Sequence, residues 1–323
     1  MAIGVGLGLM EFPFENGGGF WKWIELCEEG RIDSFWQTDR LISRRPILEC
    51  MSAMAAIAGA TKRMKFGMNV ASAGLRDPLL LAKQCATIDF VSEGRLLPAF
   101  GLGSALGPDW KATGMPTEER GKRTDEALDI IAALWRGEKV SGRTYYPYKD
   151  ATISPLPVQS ELPLWIGGSS KAAIRRTARI GTGWLAGRES PEEIGPVILA
   201  IKDACREAGR TIDDDHYGAG FFYRFGRWDE PFVEERKQAM IKGFPDRDPK
   251  QAMVVGDADD IMARIRAYVD AGVSKFVLRP MGATDQEVFE QTRLLVEEIQ
   301  PAIDALNKSG VVPGAALQEA AAD

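Results

Sequence analysis

The sequence predicts an α/β fold, a (β/α)8 TIM barrel with insertions after the fourth and seventh strands. Short apolar runs alternate with longer segments of helical period, and eight such pairs follow one another in order. Helix-start and turn signals stand at the joints. With right-handed connections each strand can pair with the next, so eight units close naturally into a barrel; an open doubly wound sheet is the architectural alternative.

The first strand is read at Ile3 to Leu9 and its helix at Gly19 to Glu29. The second unit has a strand at Ser34 to Thr38 and a helix at Ile47 to Gly59. The third strand covers Met64 to Val70; its helix opens at Asp77-Pro78, an N-cap followed by proline at the first helical position, and runs to Val91. A fourth strand at Arg95 to Phe100 leads through an irregular insertion, Leu102 to Arg120, to a helix at Thr124 to Trp135. After a long excursion the fifth strand, Leu164 to Ile166, meets a helix opening at Ser170. The sixth strand, Gly183 to Ala186, meets one capped by Ser190 and ending near Gly209. The seventh, Tyr217 to Phe222, precedes an insertion at Arg224 to Gly256 and a helix at Asp257 to Ala271. The eighth, Lys275 to Leu278, precedes a helix at Asp285 to Leu306. We expect one domain over residues 1–308 and a loose tail over 309–323.

Composition narrows the chemistry. With 45% hydrophobic and 27% charged residues the chain can bury a full core. No basic leader and no apolar run near the roughly 20 residues of a membrane span is read, so a cytoplasmic protein is expected. Cys27, Cys50, Cys85 and Cys205 show neither CxxC pairing nor histidine neighbours, so reduced core thiols are expected and no metal site. Forty basic residues against 46 acidic ones, interspersed, argue against nucleic acid as a partner. The single histidine, His216, excludes every mechanism that needs two, and no GxSxG elbow exists for a serine triad. His216 precedes the seventh strand, at the wrong barrel end for catalysis, and is read as structural.

Barrel chemistry belongs at the C-terminal ends of the strands. IGGSS, residues 166–170, leaves the fifth strand and enters a helix. Backbone N–H groups of Gly168, Ser169 and Ser170 are expected to face the mouth beside the positive helix end, where an anion is stabilised. Alone, the segment reads first as a glycine turn capped by serine. GLGS, Gly101, Leu102, Gly103 and Ser104, ends the fourth strand; its glycines let a flat ring lie against backbone, or simply make a tight exit turn. It is no dinucleotide fingerprint, because no GxGxxG follows.

Three segments, DPLLLAKQCATIDFVSEGRLLPAFGLGS, ERGKRTDEALDIIAALWRG and PLPVQSELPLWIGGSSKAAIRRTARIGTGWLAG, together resemble the bacterial-luciferase-like family of flavin- or deazaflavin-dependent oxidoreductases. The resemblance implies a barrel enzyme that uses F420 or FMN, leaning to F420 because RGKRTDEAL is closer to the deazaflavin branch. It implies hydride transfer with F420, or oxygen activation with reduced FMN. It also implies a cis peptide at Asn69-Val70 behind the cofactor ring, Asp39, Gly167 and the residues just named as cofactor contacts, a homodimer, and a separate flavin or F420 reductase as partner.

The chain departs from the family at two places. Arg40 follows Asp39 where deazaflavin-dependent sugar-phosphate dehydrogenases carry histidine, and Ser104 stands where they carry glutamate. This chain is therefore not expected to be that dehydrogenase, and Arg40 and Ser104 are the catalytic candidates; Arg40 stabilises developing charge or pairs with a nearby carboxylate. Arg188, Arg224 and Arg279, beyond the sixth to eighth strands, are expected to converge on an anionic group, with Phe12, Phe14, Trp36, Trp110 and Phe222 as candidate walls of an apolar pocket for a small organic substrate. Competing readings are a phosphate-binding barrel aldolase or isomerase, which lacks a convincing strand-end lysine or glutamate, and a non-catalytic flavin-binding barrel.

Overall fold

A computed structural model describes residues 2–104 and 107–314. The strands are β1 (Gly4–Leu9), β2 (Ser34–Gln37), β3 (Lys65–Met68), β4 (Ala71–Ser72), β5 (Leu96–Leu97), β6 (Ala99–Gly101), β7 (Trp165–Gly167), β8 (Gly183–Leu185), β9 (Tyr217–Ala219), β10 (Phe222–Phe225), β11 (Met253–Gly256) and β12 (Lys275–Pro280). The α-helices are α1 (Gly17–Glu29), α2 (Cys50–Ala60), α3 (Pro78–Val91), α4 (Pro108–Ala112), α5 (Arg120–Trp135), α6 (Lys171–Ile180), α7 (Pro191–Glu207), α8 (Pro231–Gly243), α9 (Pro249–Ala252), α10 (Ala258–Asp270), α11 (Asp285–Leu294) and α12 (Gln300–Lys308).

The ladder is parallel throughout and closes on itself. β12 pairs with β1, β1 with β2 and β2 with β3. From the other end β9 pairs with β12, β8 with β9, β7 with β8 and β6 with β7. The third barrel strand is β3 continued by β4, the fourth β5 continued by β6, and the two meet at Phe66 opposite Leu96 and Ala71 opposite Phe100. The expected barrel is therefore the fold, and the open sheet is excluded.

Several expected elements change in detail. The third strand breaks at Asn69-Val70, whose peptide is cis. The fourth breaks at Pro98, which has no N–H for the ladder but whose carbonyl accepts from Trp165 N–H (3.0 Å). The seventh breaks after Ala219, and its second piece, β10, pairs with β11 inside the insertion, which is thus partly strand and helix. α2 starts later than read because the Glu49 carboxylate caps Met51 and Ser52 N–H groups. α5 starts four residues earlier, at Arg120. The last helix is one run read from the sequence, but a π turn at Leu295–Ile299 separates α11 from α12 just before Pro301, whose ring clashes with a regular preceding turn.

Two apolar layers hold the barrel. The larger core lies between the sheet and the helices. A smaller one fills the barrel itself, with Trp36, Leu97, Ala99, Trp165, Leu185 and Val277, and Val70 packs against it from the mouth side. All four cysteines are free and buried. At the far end, residues 311–314 run back to the barrel, and Gly314 N–H donates to Val269 O (2.8 Å); residues 315–323 of the expected tail lie outside the described residues.

Candidate active site

The strand ends of the second to fifth units form one wall of the mouth. Asp39 is 5% exposed, and its carboxylate accepts from Arg76 Nη2 (2.8 Å), from Arg76 Nη1 and from Ser72 N–H (3.1 Å). Arg76 Nη2 also reaches Glu49 Oε1 (3.0 Å). Burial alone would lower the Arg76 pKa, but the hydrogen bonds it donates to Asp39 and Glu49 and the negative charge of Asp39 outweigh that, raise the pKa and hold the guanidinium charged. Asp39 ties the second strand's exit to the third's. Arg76 was not singled out in the sequence, where it reads as an ordinary residue before the Asp77 cap.

Asn69 donates its backbone N–H to Gln37 O (2.8 Å), and the cis peptide that follows brings Val70 across to its neighbours. A methyl group on Gly101 would lie 2.6 Å from Val70 Cγ2, and one on Gly167 would lie 2.9 Å from Val70 Cγ1. Both glycines are therefore required by the valine, which sits between them as an apolar shelf at the strand ends. That is a sharper reason than the open backbone expected from GLGS. Gly103 has φ +69, and a methyl there would fall 2.6 Å from Ser72 Oγ and 3.2 Å from Trp110 Nε1. Trp110 is 1% exposed, and its buried Nε1 has no hydrogen-bond acceptor among the described residues.

IGGSS differs from expectation at Gly168. With φ +102, its N–H donates to Leu185 O (3.2 Å) and its carbonyl accepts from Trp184 Nε1 (2.8 Å), so this N–H is spent inside the barrel wall. Ser170 caps α6 by accepting from Ala173 N–H (3.2 Å), and Ser169 Oγ donates to Glu189. Glu189 also accepts from the N–H groups of Gly187 (2.7 Å) and Arg188 (3.0 Å), fastening the fifth and sixth exits together. Nothing in the sequence marked Glu189.

The other catalytic and pocket candidates are spread around the rim. Arg40 reaches Asp109 Oδ2 at 3.8 Å, and Asp109 accepts from Leu41 and Ile42 N–H groups, docking α4 on the second exit loop; the carboxylate partner considered for Arg40 is thus Asp109, not Asp39. Leu102 follows β6 half-buried, and Ser104 is exposed, its carbonyl accepting from Gly107 N–H (3.0 Å). Trp36 is 1% exposed with Nε1 donating to Ser34 Oγ (2.8 Å), so it is interior filling, not a pocket wall. Phe12 packs with Phe14 and Phe20 beside the first exit.

The three arginines do not converge as one group. Arg224 is taken up by Glu230 (2.7 Å) and Glu287 (2.8 Å). Arg188 is exposed and stacked 3.5 Å from the Phe244 ring centre; its pKa is lowered by partial burial and by Arg247 and Arg40 nearby. Arg279 lies over Phe222 at 5.5 Å, and burial lowers its pKa to about 10. His216 is at the opposite barrel end, with Nδ1 2.9 Å from Thr182 O. A shallow groove between α3 and the excursion is lined by Asp77, Leu80, Lys83 and Ile153.

Comparison with known proteins agrees with this geometry. The profile of the luciferase-like monooxygenase family matches residues 20–241. The F420-dependent glucose-6-phosphate dehydrogenase of Microbacterium testaceum is 31% identical over 314 residues, spanning 85% of this chain and 90% of its own. Two solved structures share the fold. An F420-dependent secondary alcohol dehydrogenase bearing an F420-acetone adduct superposes with TM-score 0.79 at 20% identity, over 94% of this chain and 99% of its own. The FMN-bound oxygenating constituent of 3,6-diketocamphane monooxygenase from Pseudomonas putida superposes with TM-score 0.74 at 17% identity, over 93% and 99%. The closed parallel barrel, the cis peptide behind the Val70 shelf and these matches together assign the chain to the luciferase-like monooxygenase family, as an oxidoreductase.

Proposed function

We propose that this enzyme binds F420, in preference to FMN, on the Val70 shelf and uses it for hydride transfer to or from a small organic substrate. The observation that carries the reading is the shelf itself: an apolar side chain clamped between Gly101 and Gly167, with no side chain at Gly103 or Gly168 to obstruct a flat ring. The unpaired Trp110 N–H beside Gly103 is a donor suited to a polar edge of such a group. Ser169, Ser170 and the α6 N-terminus would hold an anionic part. When bound, the cofactor supplies the hydride chemistry, and the protein's share is orientation and exclusion of water.

The lean to F420 draws on the F420-dependent relative and on RGKRTDEAL. Arg40 and Ser104 in place of histidine and glutamate support a substrate other than a sugar phosphate, with Arg40 steadying developing charge. A cytoplasmic setting fits four buried reduced thiols, and no helix among the described residues is long and apolar enough to cross a membrane. A homodimer is supported by Leu80, Phe90 and Val91, exposed apolar side chains on α3, and a separate reductase would recycle the cofactor. Residues 1–308 act as one catalytic domain in this reading. Isothermal titration with F420, FMN and reduced FMN tests it: micromolar F420 binding is expected, and preference for reduced FMN would turn the reading to oxygenation.

A further inference from the structure

Among the described residues, Arg279 is a cation at the mouth end of β12 with no carboxylate within ion-pair reach, whereas Arg224 has two. Its position follows from strand alternation. Val277 points into the barrel interior with Trp36, and Val70 packs on that cluster; Arg279, two residues further along β12, faces the same way and forms the next layer up. Bare backbone makes room for it: a methyl on Gly220 would lie 3.2 Å from Arg279 Nη1, and one on Gly8 would lie 3.8 Å from its Cγ. Phe222 offers its ring face. The residue keeps partial exposure, so the guanidinium is surrounded by protein yet open to the mouth.

We infer that Arg279 receives the carboxylate of an organic monoanion whose apolar body lies against Phe222 and the Val70 shelf. The inference rests on the Val70 shelf being the cofactor seat, and names the substrate class at that same site. A guanidinium matches a carboxylate fork to fork through two parallel hydrogen bonds. The one positive charge of Arg279 balances one negative charge; a phosphate monoester asks for a second cation beside it, whereas Arg224 and Arg76 are already neutralised by carboxylates and Arg188 is exposed and stacked on Phe244. Desolvation lowers the Arg279 pKa to about 10, which leaves it charged at neutral pH and under-compensated until an anion arrives.

The test is isothermal titration of the wild type, Arg279→Met and Arg279→Lys with benzoate, phenylacetate and octanoate, the matching amides, and phenyl phosphate, each with and without F420. At least one carboxylate is expected to bind the wild type, at least tenfold more weakly to R279M, with partial recovery in R279K and no comparable binding by its amide. Equal binding of amide and carboxylate, carboxylate binding retained in R279M, tighter binding of phenyl phosphate, or binding of none of the three carboxylates would each overturn the inference. F420 affinity in R279M separates the two readings. Unchanged affinity keeps Arg279 on the substrate side, and loss of F420 binding in R279M, folded by its thermal transition, assigns Arg279 to the cofactor and overturns the inference. Carboxylate binding by a wild type that ignores F420 would sink the cofactor reading alone and leave the anion site standing.

Discussion

The wall of the mouth built from the second to fifth strands and the opposite side, built from the sixth to eighth, handle charge and space in opposite ways. On the first wall Asp39 is matched to Arg76, Arg76 to Glu49 as well, and Val70 fills the gaps left by Gly101 and Gly167. On the other, Arg279 has no acid among the described residues, and Arg188 lies on an aromatic ring with Arg247, Arg40 and Glu189 as its charged neighbours. Satisfied groups hold a shape, and unsatisfied ones hold a potential. In the proposed reading the first wall is the cofactor's rigid backing and the second is where a charged ligand gains most.

The comparison breaks most severely at Asp39. Asp39→Ala leaves Arg76, 12% exposed in its side chain, without its bidentate partner, and we expect a loss of about 3–5 kcal/mol in denaturant unfolding. A loss under about 1 kcal/mol would show the pair to be peripheral. Next comes Gly101→Ala, whose added methyl meets Val70 at 2.6 Å; about 1–3 kcal/mol of overpacking is expected, with weakened cofactor binding in the fraction that folds.

On the unsatisfied side the sign reverses. Arg279→Met removes a desolvated charge, so the ligand-free protein is expected to gain roughly 1 kcal/mol while losing carboxylate binding. Burial lowers the Arg279 pKa from its ordinary value to about 10 in the folded protein, so its charged form is disfavoured by folding. That cost is full below about pH 10 and fades as pH rises above it, so the stability gap between R279M and wild type is expected to narrow above pH 10. The smallest effect belongs to Glu11, whose Oε1 accepts from Arg45 (2.9 Å) and from Arg236 (2.6 Å), joining two exit loops to α8. Glu11→Gln should change stability by less than about 1 kcal/mol.

The barrel was legible because apolar period and helix caps are local: Asp77-Pro78, Ser170 and Ser190 all cap as read. The strand breaks were not, since Asn69-Val70 and Pro98 interrupt apolar runs that look continuous. The candidate site was legible as a set of strand ends but not as partners. Asp39 sits among the named residues, yet its partner Arg76 is 37 positions away, and Ser169 meets Glu189 across 20. Spacing along a chain does not report contacts made across a barrel mouth. The arginines show the same limit: three strand-end guanidiniums look alike in sequence, and only the acids folded against Arg224 distinguish it from Arg279.

The central claim, that Val70 between Gly101 and Gly167 is a cofactor shelf, is tested most directly by a fluorescence titration of F420 into the wild type and into Gly101→Ala. We expect micromolar binding by the wild type and at least tenfold weaker binding by the variant at a temperature where circular dichroism shows both folded. Equal affinity in the two proteins would contradict it.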